Sequence, residues 1–280
     1  MRIALAQFTS GPDKMRNLSR IEPQVREAAR RGATLIVLPE AASHAFGAGR
    51  LDYQAEDTDG PFTQGLFSLA KELGVTIIAG SFRPADTVGS INRVYNTTLI
   101  LDGHSDAPRI LTYDKVHLYD AHSYHESRTV KAGDTLLTFR HGDATVGVAT
   151  CFDIRFPEQF KELAAMGAHV IVVPTSWADG PGKLEEWRLL TRARALDAGV
   201  FIAAAGQSRP NHETEAGEKS GPTGIGFSTV VAPDGHRIVE ADYGPELLDA
   251  DIDIAQVAAV QEDVPLIRLS ETGPLRQSRM

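Results

Sequence analysis

TVGVATCFDIRFPEQFKELAAMGAHVIVVPTSW, residues 145–177, decides how this chain folds. It opens on a short apolar run that ends at Cys151, turns into an amphipathic helix predicted over Glu158–Met166, and returns to a second apolar run, HVIVVPTSW. Short runs of Val, Ile and Leu joined by a segment of helical period are the repeating unit of an α/β protein. The same alternation extends outward in both directions. Upstream, RIALAQF (Arg2–Phe8) reads as a strand and Lys14–Arg31 as a helix, whose Pro23 belongs near its first turns or else kinks it. ATLIVLPE is a buried strand ending at Glu40, Pro61–Leu73 a helix, and VTIIAGSF a strand entered through Gly74. Arg93–Leu118 alternates as paired strands about the turn LDGHSDAPR. Downstream, LEEWRLLTRARALDAG is a helix with Leu184, Trp187, Leu190 and Ala193 near one face, and VFIAAAGQS is a buried strand. Arg209–Gly224 is polar and reads as a mobile surface loop, and FSTVVAPDGHRIVEA as a hairpin about Pro233-Asp234-Gly235.

No low-complexity linker or solenoid-length repeat divides the 280 residues, so one compact domain is expected. The net charge of −9 leaves no electrostatic footprint for a phosphate backbone or an anionic membrane, which argues against nucleic acid and membrane partners. The N-terminal MRIALAQFTSGPDK lacks the apolar run of a signal peptide, and no stretch is long enough to cross a bilayer. A cytoplasmic protein is expected. The sequence has one cysteine, which excludes an intramolecular disulfide and a multi-cysteine zinc site. Its reactivity becomes the question.

Three apolar strands end in a polar or reactive group: LIVLPE at Glu40, ILTYDK at Lys115 and TVGVATC at Cys151. Sites on α/β sheets favour the carboxyl ends of strands, where a rigid scaffold aims the side chains. Taken singly, each has a plainer explanation: a capping or surface carboxylate, a solvated lysine, a cysteine serving as a small buried hydrophobe. Taken together they are chemically complete, since a thiol needs a base and acyl transfer needs positive charge where the oxyanion develops. Glu40 serves as base if burial raises its pKa, and Lys115 as donor to the oxyanion. The residues after Cys151 turn into a helix, so the backbone N–H of Phe152 is the natural second donor. The histidines show no HExxH or HxH pattern, and His44, His117, His122 and His125 read as loop or pocket-rim residues. Neither metal nor cofactor is required.

At these residues the sequence resembles the nitrilase superfamily of carbon-nitrogen hydrolases. The likeness runs nearly end to end, through RIALAQF, LIVLPEA, YNTTLILD, YDKVHLYD, HESRTVKAGD, GVATCFDIRFPE and the stretch from VIVVPTSW to RARALDAGVFIAAAGQ. The resemblance implies a four-layer α-β-β-α sandwich and a homodimer or larger homo-oligomer. Read from its own residues, DADIDIAQVAAVQEDVPLIRL near the C-terminus makes the last ~25 residues a candidate extension onto a partner subunit. The resemblance also implies a Glu-Lys-Cys triad at Glu40, Lys115 and Cys151, with Glu126 as a second carboxylate supporting the lysine and the substrate. DKVHLYD, ESRTVKAGD and CFDIRFPE look like the branch of omega-amidases and deaminated-glutathione amidases, which cleave a terminal carboxamide from a keto acid or a glutathione derivative. Arg155 is either a fork for a substrate carboxylate or an ion-pair partner of Glu158 or Asp153. Thr175, Ser176 and Trp177 follow a strand ending beside the nucleophile and line the pocket, with plain core as the alternative for Trp177.

The expected activity is therefore release of ammonia from a small carboxamide through a thioester on Cys151. A nitrilase or an N-carbamoyl amine or amino acid hydrolase would use the same triad with a different pocket. A non-catalytic interaction protein or thiol sensor would leave Glu40 and Lys115 without a role.

Overall fold

The computed structural model describes residues 1–121, 124–210 and 221–267. In chain order the first half holds β1 (Arg2–Gln7), α1 (Lys14–Arg30), β2 (Leu35–Val37), α2 (Leu51–Gln54), α3 (Pro61–Leu73), β3 (Thr76–Val88), β4 (Ile91–Asp102) and β5 (Arg109–Asp114). The short strands β6 (Asp120–Ala121), β7 (Tyr124–His125) and β8 (Val130–Lys131) lead into β9 (Leu137–His141) and β10 (Ala144–Val148). Then come α4 (Pro157–Ala165), β11 (Val170–Thr175), α5 (Lys183–Ala198), β12 (Phe201–Gly206), β13 (Thr229–Val231), β14 (Arg237–Glu240), β15 (Glu246–Asp251) and α6 (Ala255–Asp263).

Two sheets result. The first runs β15-β1-β2-β3-β4-β5, with β8 beside β4; the second runs β14-β13-β12-β11-β10-β9. Each has parallel strands at its centre, β1-β2-β3 and β10-β11-β12, and antiparallel strands toward its edges. Strand alternation sends neighbouring residues to opposite faces. Ala4, Ile36, Ile77 and Leu99 of the first sheet pack under α1 and α3 through Ile21, Val25, Phe62 and Leu66. Ile3, Leu5, Leu35, Val37 and Ile78 face the other way, into a core shared with Val146, Val148 and Val172 of the second sheet and with Phe160 of α4 and Trp187 of α5. The order of layers is helix, sheet, sheet, helix, as expected for the α-β-β-α sandwich.

Several local readings shift. Pro23 is the tenth residue of α1, not part of its first turns, and the helix runs through it. The buried face of α5 is Trp187, Thr191, Arg194, Ala195 and Ala198, rotated from the predicted Leu184-Trp187-Leu190-Ala193 face, and Leu189 is 68% exposed. β3 continues to Val88 and pairs with β4 as a long hairpin with an irregularity between Pro84 and Thr87. The hairpin about Pro233-Asp234-Gly235 forms as read, with Gly235 at φ 81°. At the other end of the chain Val257 of α6 enters the central core, and residues 268–280 lie outside the described residues. So do residues 211–220 of the Arg209–Gly224 loop. Among the described residues no helix is long and apolar enough to cross a membrane.

Candidate active site

The corners that follow β2 and β10, together with the segment after β5, meet at one end of the sandwich. β2 stops at Val37 because Pro39 has no N–H for the ladder, and the chain then bends through Glu40 and Ala41, the latter at φ 57°. That bend lies against β3 so closely that a methyl group on Gly80 would come within 2.4 Å of the Ala41 nitrogen. A side chain at Gly80 would push the Glu40 corner out of place. β10 stops at Val148, and Cys151 opens a short 3-10 turn, Cys151–Arg155, with its own φ at 48°. The turn is held by a capping box in which Thr150 and Asp153 serve each other's backbone N–H groups. Lys115 directly follows β5, and its N–H donates to the Asn96 carbonyl at 2.9 Å.

Glu40, Lys115, Glu126 and Cys151 are all buried. Lys115 Nζ donates to Glu40 Oε1 at 3.1 Å and to Glu126 Oε2 at 2.9 Å. Asn96 Nδ2 donates to the same two carboxylates, at 2.8 Å to Glu40 Oε1 and 3.0 Å to Glu126 Oε1. Backbone donors add to this: Ser176 N–H reaches the other Glu40 oxygen, Oε2, at 2.8 Å, and Tyr119 N–H joins Lys115 on Glu126 Oε2 at 2.7 Å. The Cys151 thiol lines the same cavity as the Glu40 carboxyl, close enough for the Glu40 charge to act on it.

Burial sets the protonation of this cluster. Desolvation pushes the Cys151 thiol well above its ordinary value; the Glu40 charge adds to this and Lys115 opposes it. Desolvation also raises Glu40, with Lys115 opposing and the Glu126 charge reinforcing. For Lys115, burial works against the ammonium, but the Glu126 and Glu40 charges outweigh it and its pKa rises. The resting cluster therefore holds a neutral thiol, an ammonium and a carboxyl poised to accept a proton.

These groups floor a cleft with about 390 Å³ of empty space, counting its mouth. Phe46, Tyr119, Tyr124, Phe152 and Trp177 give it aromatic walls, and Arg155 and Lys183 also line it. The family model described as carbon-nitrogen hydrolase matches residues 2–262 of this sequence. The chain belongs to the carbon-nitrogen hydrolase family. A Mycobacterium tuberculosis protein named as a hydrolase is 44% identical over 270 residues, covering 96% of this chain and 95% of its own. The omega-amidase of Xenopus tropicalis is 33% identical over 274 residues, with 95% and 94% covered. Among solved structures, Saccharomyces cerevisiae Nit3, described as a member of branch 10 of the nitrilase superfamily, matches with a TM-score of 0.77 at 29% identity, over 95% of this chain and 94% of that one. A mutant of the amidase from Nesterenkonia sp. AN1, described as showing Michael addition of acrylamide at its active site cysteine, matches with a TM-score of 0.73 at 25% identity, over 95% and 98%.

In this carbon-nitrogen hydrolase the four residues singled out for chemistry, Glu40, Lys115, Glu126 and Cys151, lie together. Phe152, Ser176 and Trp177 join them on the cavity wall. Thr175 does not: its hydroxyl donates to the Val173 carbonyl at 3.1 Å, so it closes its own strand end. Arg155 pairs with neither Glu158 nor Asp153 but with Glu186 of α5, and its guanidinium lies 5.3 Å from the Trp177 ring centre. His44 is buried and bonded to the Pro12 carbonyl, His117 stacks on Phe156 beside Asp153, and His125 is exposed; none of these three lines the cavity. His122 lies outside the described residues. Sequence reading passed over Asn96, Tyr119, Tyr124 and Lys183. Asn96 stands inside the quoted YNTTLILD, yet an amide in a strand carries no local signal of the two carboxylates it bridges. Pro222, from the end of the polar loop, also lines the cavity and accepts from the Ser176 hydroxyl at 2.7 Å.

Proposed function

We propose that this enzyme hydrolyses the terminal amide of a small keto acid through a thioester on Cys151, releasing ammonia from a carboxamide or the corresponding amine from a deaminated-glutathione-like substrate. It is a carbon-nitrogen hydrolase acting on amides, and the omega-amidase and amidase relatives support that class. The observation that carries the proposal is the Glu40 carboxyl, bonded to the Lys115 ammonium at 3.1 Å and sharing one cavity with the Cys151 thiol.

Because the thiol rests neutral, attack on the amide carbon is concerted with proton transfer to Glu40, not a reaction of a standing thiolate. As the carbonyl oxygen gains charge it needs donors. An ammonium has three N–H bonds; Glu40 takes one, Glu126 shares another between its two oxygens at 2.9 and 3.3 Å, and we assign the third to the oxyanion beside the Phe152 N–H. Collapse of the tetrahedral adduct breaks the carbon-nitrogen bond. Glu40 returns its proton to the nitrogen, ammonia leaves, and the acyl group remains on sulfur. Water then gives a proton to Glu40 and its hydroxyl to the thioester carbon, and the departing thiolate recovers the proton. In this scheme Glu126 keeps Lys115 charged and aimed, and Arg155 meets an acidic group on the substrate.

Replacing Cys151 by Ala should abolish ammonia release from α-ketoglutaramate and cysteinylglycine release from deaminated glutathione while leaving the circular dichroism spectrum unchanged. Turnover near the parent rate would sink the assignment. Running a simple nitrile and a carbamoyl amino acid in the same panel separates this reading from nitrilase and carbamoylase activity. In a companion variant, Glu126→Gln should lower turnover without preventing folding, and an unaltered rate would remove Glu126 from the site.

A further inference from the structure

Two of the cavity's lining cations share one counter-ion. Glu186 accepts Arg155 on Oε1 and Lys183 on Oε2, the latter at 2.9 Å, and the three side chains are only 20–31% exposed. Both cations stand over the same indole, with Arg155 at 5.3 Å and Lys183 at 6.0 Å from the Trp177 ring centre, and the Trp177 Nε1–H donates to the Lys183 carbonyl at 3.3 Å. The neighbouring charges are spoken for: Arg188 by Glu240 and Glu185, and Asp179 by Arg209. Lys183 is also the first residue of the 16-residue helix α5, where the helix dipole disfavours a cation. Its position is therefore not explained by helix stability.

The cavity is electrically polarised by this arrangement. Its floor has two carboxylates to one ammonium (Glu40, Glu126, Lys115), and this wall has two cations to one carboxylate. We propose that Lys183 and Arg155 form an anion subsite that takes the distal carboxylate of the substrate, with Glu186 as the resident counter-ion that the carboxylate competes with. A substrate carrying a neutral amide at one end and a carboxylate at the other is thereby sorted end for end. The carboxylate is repelled from the floor and held at the wall, and the amide is delivered to Cys151. This rests on the amidase reading above and adds to it Lys183, with Glu186 as its competitor, as the residues that select an ω-amide bearing a distal carboxylate.

The test compares succinamate with butyramide, which share chain length and amide but differ in the distal charge. Binding is measured calorimetrically on the Cys151→Ala enzyme, so that it does not depend on turnover. Succinamate should bind about tenfold more tightly than butyramide, the size expected for a charge-assisted pair. Lys183→Met on that background should cut the succinamate-to-butyramide preference about tenfold, and Glu186→Gln, which removes the competing anion, should raise it. The same ratio of kcat/KM in the enzyme with Cys151 intact should move in the same two directions. Equal binding of the two amides, or a preference that neither variant moves, would overturn the subsite. If the preference appears but no amide releases ammonia, the hydrolytic reading fails instead and the anion site stands.

Discussion

Asn96 shows how two carboxylates can be buried side by side. One ammonium cannot neutralise Glu40 and Glu126 both, and an unpaired buried charge is costly, so neutral donors must complete the shell. Asn96 supplies them with one amide nitrogen, and its backbone carbonyl also fixes the residue that carries the ammonium. Its hydrogen bond favours the ionised form of Glu40 and so holds the Glu40 pKa down against burial. Asn96→Leu should therefore raise that pKa further. Since Glu40 acts as base only when ionised, the acid limb of the kcat/KM profile should move to higher pH, and kcat at neutral pH should fall by about 10- to 100-fold, part of the roughly 10²–10⁴-fold that a general base contributes in full. An acid limb that stays in place would show that Asn96 has no hold on the base.

Elements explain why three of the four chemical residues could be read from sequence and their partners could not. Glu40, Lys115 and Cys151 each stand one to three residues past a strand; the runs before Glu40 and Cys151 are legible because burial on both faces demands apolar residues, while edge strand β5 before Lys115 is only partly buried and shows the pattern less fully. The turn that aims Cys151 is less legible, since it depends on contacts distant in sequence. Asp153 is fully buried in the turn after β10, and its Oδ2 accepts the Thr150 N–H at 2.8 Å and the Tyr113 hydroxyl at 2.7 Å. Its Oδ1 accepts the His117 N–H at 2.9 Å. One carboxylate thus ties the nucleophile's turn to the segment that follows Lys115. Asp153→Asn keeps the shape but replaces one acceptor by a donor, which leaves at least one buried group unmatched. A loss of about 1–3 kcal/mol in urea unfolding is expected, together with a fall in kcat as the Cys151 φ relaxes. Unchanged stability and turnover in the same preparation would show that this tie is idle. The rotated face of α5 was missed for a related reason: Thr191 and Arg194 count as polar in a pattern, yet Thr191 bonds back to the Trp187 carbonyl and Arg194 to the Ile154 carbonyl, so both can face inward.

At the scale of the molecule, the site is a property of the gap between two sheets. Glu40, Asn96, Lys115 and Glu126 belong to the first sheet and its connections, Cys151, Phe152, Ser176 and Trp177 to the second, so the spacing of the sheets sets the chemistry. At the opposite end, where β2, β3 and β10 begin, that spacing is pinned by His141 of β9. Its Nδ1 meets the Thr76 hydroxyl at 3.1 Å and its Nε2 the Thr34 hydroxyl at 3.0 Å, both from the first sheet's side. Burial holds its pKa down to about 4; the nearby His104 and the N-terminal amine act in the same direction, and Asp102 opposes. Unfolded, the ring would titrate near 6.5. The folded protein therefore keeps His141 neutral between those values while the unfolded chain takes up a proton, and the contribution to stability present above pH 6.5 is lost as the pH falls toward 4. At 1.36 kcal/mol per pKa unit the loss from this one ring amounts to roughly 3 kcal/mol at most. His141→Gln removes the titration. The variant should be less stable than the parent at pH 7, where it lacks the two hydroxyl contacts, and the gap should narrow as urea midpoints are followed from pH 7 down to 4.5. Parallel curves across that range would mean that His141 takes no part in the acid sensitivity of the sandwich.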